Sequence, residues 1–219
     1  YTGPNETKYA SNPMTLKYFS NSYEGFSLGV SFTPNSAGGG GVDSDTNNGQ
    51  TNDYTGGNYN DLTEYVIAYS GEFEGVGVGV TYGYGTGNAG TQGSSEYEDL
   101  SENTYSLSLS YGGFSADYRT GDRGDSGRIK NDGSGGQEYS AYCGMYSMGS
   151  MTIGLCEEDS DFTTASAGVN NQSTQTIAAG YALGGGVNFD VARVSFEQTD
   201  NGVVQTDADI LLARVSFGF

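Results

Sequence analysis

Histidine and tryptophan are absent from the 219-residue chain, which has only three prolines and two cysteines. Without histidine, Ser-His-Asp and Cys-His catalysis, His-ligated zinc and histidine-based pH switching are excluded. Two cysteines are too few for a thiolate-ligated metal cluster. We therefore expect a protein that is not an enzyme and that requires no cofactor.

Basic residues and long apolar runs are also scarce. Eight basic against 27 acidic residues give a net charge of -19. This charge argues against nucleic-acid binding and against attachment to an anionic lipid surface. No apolar run approaches the roughly 20 residues of a membrane helix, and the mean hydropathy is -0.48. Disorder would suit an acidic, glycine-rich chain, but it does not explain 18 tyrosines and 10 phenylalanines at regular spacing.

The chain is rich in alternation between apolar and small polar residues. In residues 26–33, Phe, Leu, Val and Phe alternate with Ser, Gly, Ser and Thr, and residues 76–84 and 105–111 repeat the pattern. A period of two is typical of strands with one apolar face. Small polar residues on the other face leave room for water, whereas a soluble sandwich would expose long charged side chains there. The pattern favours a barrel with a watery lumen.

The alternating runs fall into five hairpins and one last strand. A tight turn, mostly with glycine, joins the runs of each hairpin, and longer polar loops join successive hairpins. The sequence therefore predicts an all-β fold, a transmembrane antiparallel up-and-down β-barrel with about eleven strands in a single domain over residues 1–219. The predicted strands are Met14–Ser20, Phe26–Thr33, Leu62–Ser70, Val76–Tyr84, Thr104–Tyr111, Phe114–Thr120, Glu138–Tyr146, Met151–Glu157, Thr174–Leu183, Val187–Gln198 and Asp207–Phe219. The predicted linkers are Pro34–Asp61, Gly85–Asn103, Gly121–Gln137, Glu158–Ser173 and Thr199–Thr206.

Several segments resemble a known family. The last seven residues, Ala213–Phe219, alternate and end on an aromatic residue, which resembles the closing strand of bacterial outer-membrane barrels. In that family the terminal Phe is the signal that the barrel-assembly machinery recognises, which would give Phe219 this role. Lys17–Pro34, Gly71–Gly79 and Ser110–Ser115 resemble hairpins of alphaproteobacterial general porins, with Asn21 in place of the usual proline.

The resemblance implies a sixteen-stranded, homotrimeric porin of the outer membrane, surrounded by lipid and lipopolysaccharide, for passive diffusion of small hydrophilic solutes. Since about eleven strands are predicted here, we expect the C-terminal portion of such a porin, with residues 1–13 as the tail of the pore-constricting loop. The alternative is a complete smaller barrel in which Thr7–Ser11 forms a twelfth strand. No signal peptide is found. A secreted, soluble, adhesin-like β-protein with acidic calcium-binding loops is the alternative to a channel.

Charged residues within the strands are candidates for the channel wall. Alternation places Lys17, Arg119, Arg193 and Arg214 on the inner face, and Asp117 and Glu197 with them. For Arg193 the alternation slips near Val191-Ala192, which indicates a bulge. The resemblance implies that such wall residues face acidic groups on a constricting loop and orient dipolar solutes. The alternative is that they pair with lumen carboxylates, including Asp190. We expect a weak preference for cations.

Two further groups carry possible chemistry. Asp43 and Asp45 in one predicted loop, and Glu157, Glu158, Asp159 and Asp161 in another, could hold Ca²⁺ at the outer mouth and bridge to lipopolysaccharide. The alternative is solvated acidic loops. Cys143 and Cys156 flank the Met148-Gly149 turn almost symmetrically, which predicts a cross-strand disulfide in an exported protein. The alternative is two small wall residues.

Overall fold

The computed structural model describes residues 15–35, 59–89, 91–92, 95–165 and 168–218. No helix in these residues is long and apolar enough to cross a membrane. The strands are β1 (Leu16–Phe19), β2 (Phe26–Asn35), β3 (Tyr59–Phe73), β4 (Val76–Ala89), β5 (Thr91–Gln92), β6 (Ser95–Glu96), β7 (Leu100–Tyr111), β8 (Phe114–Gly124), β9 (Gly135–Met148), β10 (Met151–Thr164), β11 (Gly168–Gly184), β12 (Val187–Asp200) and β13 (Val203–Phe217).

Eleven of these strands form one up-and-down sheet. Their order is β1-β2-β3-β4-β7-β8-β9-β10-β11-β12-β13, and β5 and β6 form a separate two-stranded sheet. Strands that are neighbours in this sheet follow one another along the chain, except that β5 and β6 lie between β4 and β7, and short connections between successive strands suit antiparallel pairing. The predicted all-β, up-and-down architecture with eleven strands is confirmed.

Several hairpin turns have a backbone that glycine makes possible. Both central residues have positive φ in the turns Glu24-Gly25, Glu74-Gly75, Gly185-Gly186 and Asn201-Gly202. Positive φ at both positions defines the turn whose twist matches that of the flanking strands. Glycine adopts this conformation without the steric cost that other residues meet. The local sequence thus fixes where each of these strands reverses.

Two predicted linkers are not loops. Strand β10 continues to Thr164 and β11 begins at Gly168, so the predicted linker Glu158–Ser173 is largely strand. The predicted linker Thr199–Thr206 is also wrong, because β12 and β13 meet at the two-residue turn Asn201-Gly202. Apolar alternation stops along these segments while backbone pairing goes on, so a prediction based on alternation ended the strands too early.

One compact unit comprises the described parts of residues 1–69, 81–105 and 121–137. Its core is formed by Tyr59, Leu62 and Leu100, which are all buried. Two loop segments also pair within this unit, since the backbone N–H of Glu98 donates to the carbonyl of Arg128 at 2.8 Å. Phe26, Leu28 and Val30 of β2 pair with Tyr69, Ile67 and Tyr65 of β3 and stay exposed.

The second unit comprises residues 70–80, 106–120 and 138–219, and its described strands present two unlike faces. Tyr118 and Tyr142 stack on one face, with ring centroids 5.0 Å apart. Cys143 and Cys156 are joined by a disulfide, with Cα atoms 4.1 Å apart. Because Cys143 follows Tyr142 along β9, the disulfide lies on the opposite face. In each unit we call the face with exposed aromatic and aliphatic side chains the apolar face, and the other the polar face.

Candidate channel-lining residues

In the first unit, Lys17 belongs to a row of polar side chains that crosses neighbouring strands. Lys17 on β1 pairs with Ser31 on β2, and Ser31 pairs with Glu64 on β3. Ser31 Oγ donates a hydrogen bond to Glu64 Oε2 at 2.6 Å. Leu16 and Tyr18, which flank Lys17, pair with Phe32 and Val30 on the apolar face. Lys17 therefore lies on the polar face, the side on which alternation places it.

A second pair of charges lies on β7 and β8 of the same unit. Arg123 Nε is 3.3 Å from Glu102 Oε2, and both side chains are more than nine-tenths buried. Glu102 and Glu64 line one cavity of about 10 Å³, together with Thr104 and the glycines of β4, Gly83 and Gly85. Strand β4 lies between β3 and β7. Because glycine has no side chain, β4 leaves this space open.

Glu64, Glu102 and Arg123, which we call the carboxylate–arginine cluster, were missing from the predicted wall residues. Glu102 and Arg123 fell in the predicted linkers Gly85–Asn103 and Gly121–Gln137. The turn at Gly112-Gly113 was the signal that could have found them. Its register, extended along the hairpin, places residues 102 and 123 opposite each other, which is where the ion pair forms.

In the second unit, Asp117 and Arg119 lie on the polar face. Both alternate along β8 with Tyr118, whose ring stacks on Tyr142 on the apolar face. Side chains of successive strand residues point to opposite faces. Asp117 and Arg119 therefore share a face with the disulfide.

Arg214 also lies on this polar face and is paired there. Its Nε and Nη2 donate hydrogen bonds to Asp190 Oδ2 at 3.1 and 2.9 Å. The pairing of successive strands connects Arg214 through Asp190 and Gly180 to Thr152, which shares its face with Cys156. The ion pair is solvent-exposed, with Arg214 at 74%. This arrangement is the alternative prediction for Arg214, in which it pairs with Asp190.

Arg193 and Glu197 lie on the other face, so their predicted place beside Arg214 is wrong. The pairing of β12 with β13 runs without a shift from Val187 to Gln198. The bulge expected near Val191-Ala192 is therefore absent, and Arg193 pairs with Ile177 and Leu211 on the apolar face. Arg193 Nη2 donates to Asp209 Oδ1 at 2.8 Å, and Ser195 Oγ donates to the same oxygen at 2.6 Å.

The acidic residues predicted for a calcium loop lie on a strand instead. Glu157, Asp159 and Asp161 share one face of β10, and Glu158 lies on the opposite face. Asn171 Nδ2 donates to Asp161 Oδ1 at 2.8 Å. Within the described ranges, no three acidic or cysteine residues are grouped where they could hold one metal ion. Asp43 and Asp45, residues 1–13 and Phe219 lie outside the described residues.

The loop between β8 and β9 has an ordered acidic turn. The hydroxyl and the backbone N–H of Ser134 both donate to Asp132 Oδ1, which holds the pKa of that carboxyl below its usual value. The backbone N–H of Gly136 donates to Asp125 Oδ1 at 3.1 Å. These bonds shape the loop beside the buried Arg123.

A comparison with known protein families identifies the family to which this two-faced sheet belongs. The sequence profile of the Gram-negative porin family matches residues 1–202. The chain belongs to the Gram-negative porin family. No curated protein matches it. Membership places the porin in the outer membrane as a β-barrel channel protein, so its exposed apolar side chains suit lipid and its polar side chains suit water.

Proposed function

We propose that this porin forms a water-filled channel for passive diffusion of ions and small hydrophilic solutes, with a weak preference for cations. The observation that carries the proposal is the two-faced sheet, in which exposed apolar side chains lie opposite charged and hydroxyl groups. Carboxylates and basic groups are interspersed on the polar faces, where Lys17 and Glu64 lie in one row on either side of Ser31, and Asp190 pairs with Arg214. Such mixing suits a weak rather than a strict ion preference.

Basic groups on the polar face are proposed to orient solutes in the channel. Lys17, Arg119 and Arg214 would face acidic groups across the lumen, and the resulting transverse field favours dipolar over apolar solutes. Arg193 and Glu197 have no part in this role because they lie on the apolar face.

The surroundings of the porin follow from the same proposal. We propose a homotrimer in a membrane of lipid and lipopolysaccharide, inserted by the barrel-assembly machinery, with Phe219 as its signal. Calcium at Asp43 and Asp45 remains part of the proposal. Calcium could bind the other four predicted ligands only along a strand, since the loop expected to bring them together is not formed; these are Glu157, Glu158, Asp159 and Asp161.

Conductance in a planar lipid bilayer tests the function. Protein purified in detergent from outer membranes is expected to give stepwise channels, arriving in groups of three if the trimer is correct. In a KCl gradient, the reversal potential should indicate a modest excess of cation flux. A detergent-independent, soluble protein without conductance would overturn the channel and support the secreted adhesin-like alternative.

A further inference from the structure

Two carboxylates of the first unit face the same small space although they lie two strands apart. The cavity between Glu64 and Glu102 has a volume of about 10 Å³ and exists because Gly83 and Gly85 of β4 have no side chains. It has room for about one water molecule. The two acidic groups therefore border the same small space from either side of β4.

The carboxyl group of Glu102 is buried beside this cavity, with one of its two oxygens lacking a hydrogen bond within the described part of the chain. Its side chain is 7% exposed, and Oε2 lies 3.3 Å from Arg123 Nε. Oε1 is buried and makes no hydrogen bond to any described residue. A buried acceptor without a donor is destabilising. A proton on this carboxyl would turn an unsatisfied acceptor into a donor directed at water or at its neighbour.

Among the described residues, charged groups face Glu102 from two other strands. Glu64 faces it from β3 and Arg123 from β8. Tyr84 of β4 alternates with the two cavity-lining glycines of that strand, so its side chain points to the opposite face. Lys17 lies further along the row, two strands from Glu64. Arg123 can balance one carboxylate of the pair. Two carboxylates that share a site do not both ionise easily.

We infer that Glu64 and Glu102 form a proton-binding pair in the channel wall, and that one shared proton sets the wall charge and so the cation preference of the porin. Glu64 is partly exposed and is the member that permeating ions meet. Glu102 is the positioning member, buried against Arg123. This inference rests on the proposed channel function, which it extends to regulation by pH.

A metal ion is the less favoured occupant of the cavity. Calcium takes six to eight oxygen ligands and magnesium a near-octahedral set. The cavity offers two carboxylates and the hydroxyl of Thr104, and a guanidinium already contacts one of the carboxylates. A proton needs no such ligand set, so we commit to the proton, and metal binding becomes an outcome that overturns it.

The test measures reversal potentials in a KCl gradient from about pH 4 to about pH 9, a range that brackets the value of about 4.3 for an exposed glutamate. The variants are Glu64→Gln and Glu102→Gln. Glu74→Gln is the matched control, because it makes the same chemical change in the exposed turn between β3 and β4.

In the wild type and the control, we expect the cation-to-anion permeability ratio to fall about twofold in one step on acidification, as for one unit charge at about 7 Å in water with some screening by salt. Both cluster variants should lack this step and should show at high pH the low ratio of acidified wild type, since glutamine mimics the protonated acid. The effect of buried Glu102→Gln is the decisive one.

Infrared difference spectra against pH, recorded in detergent, give a readout that does not depend on conduction. The wild type should show the C=O band of a protonated carboxyl appearing over the same pH range as the step in permeability, and both cluster variants should lose it. If both variants keep the wild-type step and band, the inference is wrong while the channel stands. A step that moves with added CaCl₂ at fixed pH would replace the proton by a metal ion. Absence of conductance at every pH would overturn the proposed function instead, and the spectra would still test the pair.

Discussion

Removing the disulfide between Cys143 and Cys156 is expected to lower the stability of the hairpin formed by β9 and β10 without closing the channel. The bond joins residues that are 13 positions apart across this hairpin. The double variant Cys143→Ser, Cys156→Ser replaces both sulfurs with small polar groups that suit the polar face. Chemical reduction of the wild type breaks the same bond without changing the sequence.

The size of the effect follows from chain entropy. A cross-link that closes a loop of this length restricts the unfolded chain by about 3 kcal/mol. This figure is an upper limit, since an unfolded hairpin that keeps its turn is already restricted. We therefore expect the double variant and the reduced wild type to lose between about 1 and about 3 kcal/mol of unfolding free energy.

The assay is urea unfolding of protein refolded into lipid vesicles, followed by circular dichroism because the chain has no tryptophan. Alkylation with and without prior reduction, read by intact mass, shows whether the bond has formed. The reduced wild type and the double variant should unfold at the same urea concentration, below the oxidised wild type. Two alkylated thiols in the unreduced protein, or one midpoint for all three samples, would refute the reasoning.

Two further predictions concern single side chains. Gly113→Ala should destabilise the porin by about 1 to 3 kcal/mol, because the added Cβ would overlap the carbonyl oxygen of Ser147. Gly144→Ala should be tolerated, since nothing lies within 4 Å of its added Cβ. Urea unfolding midpoints of the two variants, measured side by side, check this prediction, and equal losses of stability would contradict it. Arg214→Gln should raise the cation preference because it leaves Asp190 unpaired on the polar face, and Arg193→Gln should leave the reversal potential unchanged because Arg193 lies on the apolar face. A shift of equal size in both variants would place Arg193 in the lumen after all.

The sequence predicted the architecture well wherever apolar and polar residues alternate. Each predicted strand overlaps one of the strands observed, and the turns Glu74-Gly75 and Gly112-Gly113 lie where the glycines indicated. Lys17 lies on the predicted face, because β1 and β2 follow the strict period of two from which its direction was derived.

The candidate site could be predicted only in part. The sequence assigns Glu102 and Arg123 to linkers and Glu158 to a loop, because no apolar residues alternate with them there. The sequence predicts Arg193 on the inner face with Ser195 and Glu197, after a bulge near Val191-Ala192. The pairing of β12 with β13 keeps its register there, so Arg193 lies on the apolar face.

These misses have one physical cause. Alternation reports a difference in solvent between the two faces of a strand, and it reports pairing only indirectly. Around Glu102 and along the last residues of β10, both faces of the strand meet water, protein or loop. The sequence there need not alternate between apolar and polar residues, although the ladder of backbone hydrogen bonds continues. Predicted strands therefore end where the lipid contact ends. The residues that such a prediction assigns to loops lie at the margin of the apolar band, where the carboxylate–arginine cluster of this porin is found. Charged residues just beyond each alternating run can therefore be assigned to a strand and a face by extending the hairpin register.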